Sequence, residues 1–446
     1  MYQYIREHNT NDNYSAKCEH AHDKFESNNA LSFQPYLNIN NINISNTTLF
    51  KPDICLYIHI PFCTTKCYFC SIETRQSFSN NVLDEYIDAL IIEIEHHIQL
   101  LLNFNIICIH FGGGTPSILS MNHLQSVFST LNKCVPNLNE TEVVFEANPN
   151  SIDLDKILYI ASRAKLSLNI GIQTFNEKIL NSMHRRTNIN GLLTMLCEIS
   201  KMNLYTIGID LICNLPFSKQ NTTIDDIDIA TKLGVNHFSI YPLRIELNSK
   251  LYSEYSFFSD NLPSGPFQIE FFNNAKMHLL SQGFEHYSIF HYSKANKANN
   301  IYSRQQLNGG EWIGYGAGAN SYYNCQIIDN ISDISKYIIA QKSGLNCIDN
   351  SYSLRTVDII IRELAYILRK NEINKTYILN RYGNLIYNLF IVFLREHKNK
   401  YIQEYNSKFE LKPYGIMKLS LLEKLLFNYL KNHFNSHQAD EIKMNK

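Results

Sequence analysis

The chain has 446 residues, which is enough for one large domain and a smaller one. Its 40 Lys and Arg residues nearly balance its 41 Asp and Glu residues, so the formal net charge is -1. This balance offers no basic surface for nucleic acid or for an anionic membrane. No stretch approaches the roughly 20 apolar residues of a membrane span, and the polar N-terminus lacks a signal-peptide core. We therefore expect a cytoplasmic protein.

The 11 cysteines do not form the pattern of a disulfide-bonded secreted domain. Such domains are small, and their cysteines are dense and even in number. Here Cys63, Cys67 and Cys70 form one group, and the other eight cysteines are scattered. The group of three indicates a metal site, and we interpret the others as buried small apolar side chains.

The first 50 residues are rich in Asn, Ser and His and show no clear periodicity. We interpret residues 1–50 as a loosely ordered N-terminal extension. Cys18, His20 and His22 are residue types that bind metals, but a polar tail with incidental ligand types is the simpler interpretation.

From Cys55 onward, short apolar runs rich in β-branched residues alternate with segments of helical period. The predicted strands cover residues 55–60, 107–111, 142–146, 168–172, 206–212 and 237–241. The predicted helices cover residues 82–102, 121–131, 153–164, 190–202, 223–233, 266–282, 355–369 and 419–432. Six β-then-α units imply an α/β fold whose parallel sheet curls into a partial (β/α)6 barrel. The active site of such a barrel lies at the C-terminal ends of the strands.

The same pattern divides the chain after residue 50 into three parts. Residues 51–245 form the partial barrel, and residues 246–350 extend it and include a Gly-rich turn that begins at Trp312. Residues 351–446 form a small helical C-terminal domain.

The three grouped cysteines have the spacing C-x3-C-x2-C and directly follow the first predicted strand. Cysteine thiolates hold iron–sulfur clusters. Three thiolates on a [4Fe–4S] cluster leave one iron without a protein ligand, and the amino and carboxylate groups of S-adenosylmethionine (SAM) can chelate that iron. An electron from the cluster then cleaves SAM to methionine and a 5′-deoxyadenosyl radical. A zinc site is the alternative, with Cys55 or His59 as the fourth ligand.

The cysteine loop and the segment Phe111-Gly-Gly-Gly-Thr-Pro116 resemble the radical SAM family of oxygen-independent coproporphyrinogen III oxidase and its relatives. This HemN/HemW-like family includes a haem-chaperone branch, and the class C radical SAM methyltransferases are also among its relatives. The resemblance covers about residues 53–430. It implies a partial barrel with a small helical domain, a [4Fe–4S] cluster, one or two SAM molecules and a role in porphyrin biosynthesis.

The resemblance also implies which residues bind the cofactors. Cys63, Cys67 and Cys70 match the cluster ligands of the family. The positions that match SAM contacts are Tyr57, Phe69, Gly113, Gly114, Thr115, Glu146, Gln173, Arg185 and Asp210. No residue is identified as catalytic.

The sequence departs from the oxidase pattern in the region expected to bind the substrate. The oxidase carries a fourth cysteine at the position where this chain has Ile72. Other departures fall at Ser167, Asn214, Phe217, Tyr302, Ser303 and Leu307. The substrate is therefore left open by the sequence, although the cofactors are not.

Three functions remain open at this point. The first is hydrogen abstraction from an organic substrate such as a porphyrinogen propionate, and the second is methyl transfer with two SAM molecules. The third is haem binding and transfer as a chaperone. The expected partners are a small-molecule substrate such as a tetrapyrrole and a low-potential electron donor such as flavodoxin or ferredoxin.

Overall fold

The structure is a computed structural model that describes residues 51–294 and 300–434. The predicted N-terminal extension, including Cys18, His20 and His22, lies outside the described residues. Among the described residues, no helix has the length and apolar composition that crossing a membrane requires.

The described residues form fifteen strands, and the first six, which were predicted from the sequence, form a parallel sheet at the centre of the fold. The strands are β1 (Asp53–Ile60), β2 (Asn105–Gly113), β3 (Glu142–Ala147), β4 (Lys165–Gln173), β5 (Thr206–Cys213), β6 (His237–Pro242), β7 (Phe284–Ser288), β8 (His291–Lys294), β9 (Trp312–Tyr315), β10 (Asn320–Tyr323), β11 (Gln326–Asn330), β12 (Ile348–Ser353), β13 (Ile373–Asn374), β14 (Ile402–Glu404) and β15 (Lys408–Leu411). Strands β1 to β6 pair in parallel and in chain order. Their nearly continuous burial explains why the sequence shows apolar runs instead of strict alternation. The predicted partial (β/α)6 barrel is confirmed.

Helices connect the strands and cover the outer face of the sheet. They are α1 (Asn80–His96), α2 (Ile98–Leu101), α3 (Met121–Cys134), α4 (Leu154–Ala161), α5 (Glu177–Ser182), α6 (Ile189–Ser200), α7 (Thr222–Lys232), α8 (Lys250–Ser253), α9 (Tyr255–Phe258), α10 (Gly265–Ser281), α11 (Ile301–Leu307), α12 (Ile334–Lys342), α13 (Thr356–Leu368), α14 (Lys375–Glu396), α15 (Pro413–Met417) and α16 (Leu419–His433). Side chains of Ser79, Ser120 and Asp153 accept hydrogen bonds from N–H groups of the first turns of α1, α3 and α4 and so define where these helices begin.

The single helix predicted over residues 82–102 is wrong, because the helix breaks at His97. Helix α1 ends at His96, and the short α2 begins at Ile98. The backbone of His97 has φ -103° and ψ 5°, outside the helical region. Its ring lies 5.6 Å from the ring of Tyr315, centroid to centroid. A periodicity of apolar residues does not reveal such a break, because both helices keep the same face buried.

Additional strands extend the parallel sheet at both edges. Strand β9 lies parallel to β1, and β10, β11 and β12 follow it in antiparallel order. Strands β8 and β7 continue the other edge beyond β6. Residues Trp312–Tyr315, predicted as part of a Gly-rich turn, therefore form strand β9, and the turn follows it. Gly314 permits this arrangement, since a Cβ atom there would lie 2.3 Å from the carbonyl oxygen of Asn320.

The region after residue 351 is mainly helical, as predicted, but it also contains a small antiparallel sheet. Its strands have the order β13-β15-β14 and are two to four residues long. Strands this short carry no periodicity that a sequence can display. Helix α14 contains a kink at Gly383, where φ is 74°. The division of the chain into four parts stays a prediction.

A buried carboxylate joins the first helix to the turn after β9. Glu93 of α1 is 3 % exposed and accepts hydrogen bonds from the backbone N–H of Gly316 at 2.8 Å and the hydroxyl of Tyr337 at 2.6 Å. The side chains of Asn330 and Cys347 donate two more, at 2.7 and 3.2 Å. Burial raises the pKa of Glu93, and these donors oppose the rise. Four donors on one carboxylate fix the turn against the edge of the barrel.

We predict that Glu93→Ala lowers the free energy of unfolding by about 3 kcal/mol or more, because it leaves buried donors without an acceptor. Glu95→Ala is the matched control on the same helix. It removes only a surface ion pair with Lys133 and should cost less than about 1 kcal/mol. Urea unfolding of both variants measures the difference. Equal losses of unfolding free energy in the two variants would contradict the conclusion that Glu93 fixes the turn after β9 against the barrel.

Candidate functional site

One cavity of about 840 Å³ opens at the C-terminal ends of the parallel strands. Each of the strands β1 to β6 contributes a polar side chain to its wall, and β1 contributes two. These side chains are Tyr57, His59, His110, Glu146, Gln173, Asp210 and Tyr241. The position agrees with the location of active sites in parallel α/β barrels.

The loop between β1 and α1 carries the three grouped cysteines to this cavity. The N–H of Cys63 donates to the carbonyl of Arg75 at 3.2 Å, and the N–H of Arg75 donates to the carbonyl of Pro61 at 2.8 Å. These bonds close the base of the loop. Cys70 lines the cavity directly. Burial raises the pKa of the Cys70 thiol, and a backbone hydrogen bond from Ile72 and the charge of Lys66 oppose this rise.

Two side chains outside the loop contact its thiols. The hydroxyl of Thr115 lies 3.2 Å from Sγ of Cys63. The Nη1 atom of Arg185 donates to Sγ of Cys67 at 3.3 Å, and its Nη2 atom donates to the carbonyl of Gly171 at the end of β4. A guanidinium beside a cysteine favours the thiolate form, which is the form that ligates metals. Both residues were predicted from the sequence.

The glycines at the end of β2 allow the second strand to meet the cysteine loop. The N–H of Gly114 donates to the carbonyl of Ile60 at 2.8 Å. A Cβ atom at Gly114 would lie 2.5 Å from the carbonyl oxygen of Phe62, and one at Gly113 would lie 2.6 Å from the ring of His59. Gly113 also has φ of 104°, which side chains disfavour. The backbone here must be glycine for the two loops to approach.

A carboxylate and two aromatic groups form the wall beside the cysteines. The Oε1 atom of Glu146 lies 2.8 Å from Nε2 of His110. The hydroxyl of Tyr57 lies 3.0 Å from Nδ1 of His59. Burial raises the pKa of Tyr57, and the charge of Glu146 adds to this effect. Burial lowers the pKa of His59 to about 4, so its imidazole is neutral at pH 7.

Gln173, Asp210 and Phe69 complete the predicted set within the cavity wall. Gln173 ends β4 with φ of 74°, a strained value for a residue with a side chain. Asp210 points inward from β5, and burial, followed by the charge of Glu146, raises its pKa to about 7. A hydrogen bond from Ser239 opposes this rise.

The structure brings the predicted site residues together around the cavity and the cysteine loop, and their binding roles stay predictions. Among the described residues, no three His, Cys, Asp or Glu side chains converge to hold a single metal ion. A [4Fe–4S] cluster binds each cysteine to a different iron atom, so it requires thiols that are spread more widely.

Several residues of the cavity wall were not identified from the sequence as site residues. They are His110, Tyr241, Arg244, His291, Tyr366 and Arg369. His110 could have been found, because it is a polar residue within an apolar strand just before the glycines. Arg369 follows helix α13 and reaches the cavity only because the C-terminal helices pack there, which no local pattern shows.

We predict that Asp210 makes the stability of the protein fall as pH rises. Its carboxyl has a pKa near 3.8 when unfolded and about 7 when folded. The favourable contribution is complete below the unfolded pKa and is lost as pH rises through about 7. The shift corresponds to about 4 kcal/mol. Urea unfolding of the wild type and of Asp210→Asn measures this effect. The stability of the variant relative to the wild type should increase between pH 5 and pH 8. A stability difference that does not change with pH would contradict the raised pKa of Asp210.

Comparison with known proteins identifies the family of this chain. Residues 57–228 match the Radical SAM superfamily. The haem chaperone HemW of Buchnera aphidicola subsp. Acyrthosiphon pisum is 30% identical over 272 residues, which are 60% of this chain and 70% of the relative. An oxygen-independent coproporphyrinogen III oxidase of Salmonella typhimurium is 22% identical over 324 residues, 70% of this chain and 71% of the relative.

A solved structure shows the same fold. The coproporphyrinogen III oxidase HemN from Escherichia coli superposes with a TM-score of 0.72 and 19% sequence identity. The match covers 84% of this chain and 90% of that structure. The chain therefore belongs to the radical SAM family of oxygen-independent coproporphyrinogen III oxidase and HemW, whose cofactors are a [4Fe–4S] cluster and SAM.

Proposed function

We propose that this protein is a radical SAM enzyme that abstracts hydrogen from a tetrapyrrole substrate. The observation that supports it best is the single cavity whose wall joins Cys70 to Glu146, Gln173 and Asp210. When bound, the cluster and SAM supply a 5′-deoxyadenosyl radical at this place. The residues of the chain bind the two cofactors, orient them and keep water away.

The cysteine loop is the proposed cluster site. Cys63, Cys67 and Cys70 would hold the cluster as thiolates, and the guanidinium of Arg185, which donates to Sγ of Cys67, would stabilise the negative charge there. The hydroxyl of Thr115 donates to Cys63 or accepts from it, according to the protonation of the thiol. Hydrogen bonds to cluster sulfurs also adjust the reduction potential.

The ends of the neighbouring strands are the proposed SAM site. Gly113 and Gly114 bring the end of β2 against the cysteine loop, where the methionyl part of SAM would bind. Glu146 accepts hydrogen bonds from amino or hydroxyl groups of SAM, and His110 holds this carboxylate at 2.8 Å. Tyr57 and Phe69 pack beside the cofactor.

The remaining wall of the cavity suits a large, flat substrate. Tyr241, Phe290, Tyr302 and Tyr366 all line it. Tyr302 stacks on Tyr57 with ring centroids 5.9 Å apart, which extends the aromatic surface from the SAM side. The volume of about 840 Å³ falls at the upper end of small-molecule sites. The names of the oxidase and chaperone relatives both refer to tetrapyrroles, which supports a substrate of this class.

The reaction also requires one electron for each SAM that is cleaved. We propose a low-potential flavodoxin or ferredoxin as its source. The position of the oxidase's fourth cysteine is taken by Ile72, which lies in the cavity wall and is 47% exposed.

We predict that Cys63→Ala, Cys67→Ala and Cys70→Ala each abolish both stable iron binding and SAM cleavage. Cys197→Ala is the matched control, since Cys197 is an exposed cysteine on α6, away from the cavity. Iron content and 5′-deoxyadenosine are measured after anaerobic reconstitution with SAM and dithionite. Full iron and full SAM cleavage in any of the three variants would contradict the proposed ligand set.

A haem chaperone is the second candidate, and it is favoured by the similarity to HemW. His59 and His291 line the cavity, and burial lowers the pKa of each to about 4. Neutral imidazoles of this kind are haem-iron ligands. A haem titration followed by absorption spectroscopy separates the candidates. Tight haem binding that is lost in His291→Ala, without any SAM cleavage, would favour the chaperone over the enzyme.

A further inference from the structure

Two guanidinium groups reach the cavity from different parts of the fold. Arg244 follows the end of β6, and Arg369 caps the end of helix α13 in the C-terminal region. Both line the cavity wall, next to the turn between β7 and β8. The carbonyl of Arg369 accepts a hydrogen bond from the N–H of Ile289 in this turn, at 3.0 Å. The guanidinium carbon of Arg244 lies 5.6 Å from the ring centroid of Phe290 in the same turn.

Arg369 is held in a fixed orientation by a buried carboxylate. Its Nε and Nη2 atoms donate to the two oxygens of Glu423 at 2.6 and 3.2 Å. Glu423 is 5% exposed and comes from helix α16. Within residues 51–294 and 300–434, the hydrogen bonds of this guanidinium all go to Glu423. A guanidinium has five N–H donors, so this pairing orients the group and still leaves donors that can face the cavity.

The positive charges of the two arginines act on each other. The pKa of Arg244 is lowered first by burial and next by the charge of Arg369, and the attraction of Glu423 and Glu246 is smaller. Both arginines line the same cavity and contact the same turn between β7 and β8, so a ligand in this part of the cavity lies beside both guanidiniums. Arginine is the side chain best suited to bind a carboxylate with two parallel hydrogen bonds.

We propose that Arg244 and Arg369 form a carboxylate-binding subsite within the cavity. The inference rests on the proposed function, and it names the group by which the substrate is anchored. A tetrapyrrole supplies such a carboxylate through its propionate side chains. A second SAM molecule would supply the same chemistry through its methionyl carboxylate, so the test must separate these two sources.

The test compares the binding of coproporphyrin III and its tetramethyl ester to the reconstituted full-length protein by porphyrin fluorescence. The ester keeps the ring and removes the negative charges. We expect the wild type to prefer the acid. Arg369→Gln should weaken binding of the acid about tenfold or more and leave binding of the ester unchanged. Arg244→Gln should have the same selective effect without breaking the pair of Arg369 with Glu423.

The chain offers a matched control for the loss of a buried ion pair. Arg381 makes an equivalent pair with Glu363, and both pairs join a partly exposed arginine to a glutamate side chain that is 6% exposed. Arg381 does not line the cavity. Arg381→Gln should therefore reduce thermal stability as Arg369→Gln does, but it should leave the affinities for both porphyrins unchanged.

The outcomes are distinguishable. Loss of acid binding alone in both cavity variants supports the subsite with a tetrapyrrole as the source. Unchanged porphyrin binding with a drop in bound SAM from two molecules to one supports the same subsite with SAM as the source. Unchanged binding of both ligands in both variants overturns the subsite and leaves the tetrapyrrole proposal intact. Failure of the wild type to bind any tetrapyrrole overturns the proposed function itself.

Discussion

The close approach of two loop backbones determines the geometry of this site. Strands β1 and β2 pair in parallel as far as Ile60 and Gly113, and the next N–H, that of Gly114, bonds to the carbonyl of Ile60 at 2.8 Å. A Cβ atom at Gly114 would lie 2.5 Å from the carbonyl oxygen of Phe62. The cysteine loop therefore leaves β1 directly against the end of β2, which puts Thr115 beside Cys63. The positions of β3 to β6 follow from this one, because each strand pairs in parallel with the strand before it.

The cavity wall contains ionisable side chains whose charged forms are destabilised by burial. Burial and the charge of Glu146 raise the pKa of Asp210, and burial and the charge of Arg369 lower the pKa of Arg244. Buried groups with shifted pKa values cluster at functional sites. Asp210 lines the part of the cavity that holds Cys70 and Glu146, and the two arginines line the part next to the turn between β7 and β8. This arrangement suits two ligands in one cavity, one beside the cysteines and one beside the arginines.

The parallel core was predictable because its physical cause is local. A strand such as β3 is apolar along its whole length, and a helix such as α3 shows its own period, so the sequence displays both. The Gly-rich segment and the cysteine spacing likewise identify the cofactor end of the site. The edge strands could not be predicted, because they are short and gain their hydrogen bonds from distant partners. The substrate end depends on residues such as Arg369, which the packing of the C-terminal helices brings to the cavity.

The central claim is that this cavity couples SAM cleavage to a tetrapyrrole. The most direct measurement is a product assay with anaerobically reconstituted protein, SAM and dithionite, with and without coproporphyrinogen III. The account predicts that 5′-deoxyadenosine formation rises with the tetrapyrrole, in proportion to the substrate consumed, and that vinyl groups appear. Formation of S-adenosylhomocysteine in its place would establish methyl transfer. SAM cleavage that does not respond to any tetrapyrrole would contradict the account.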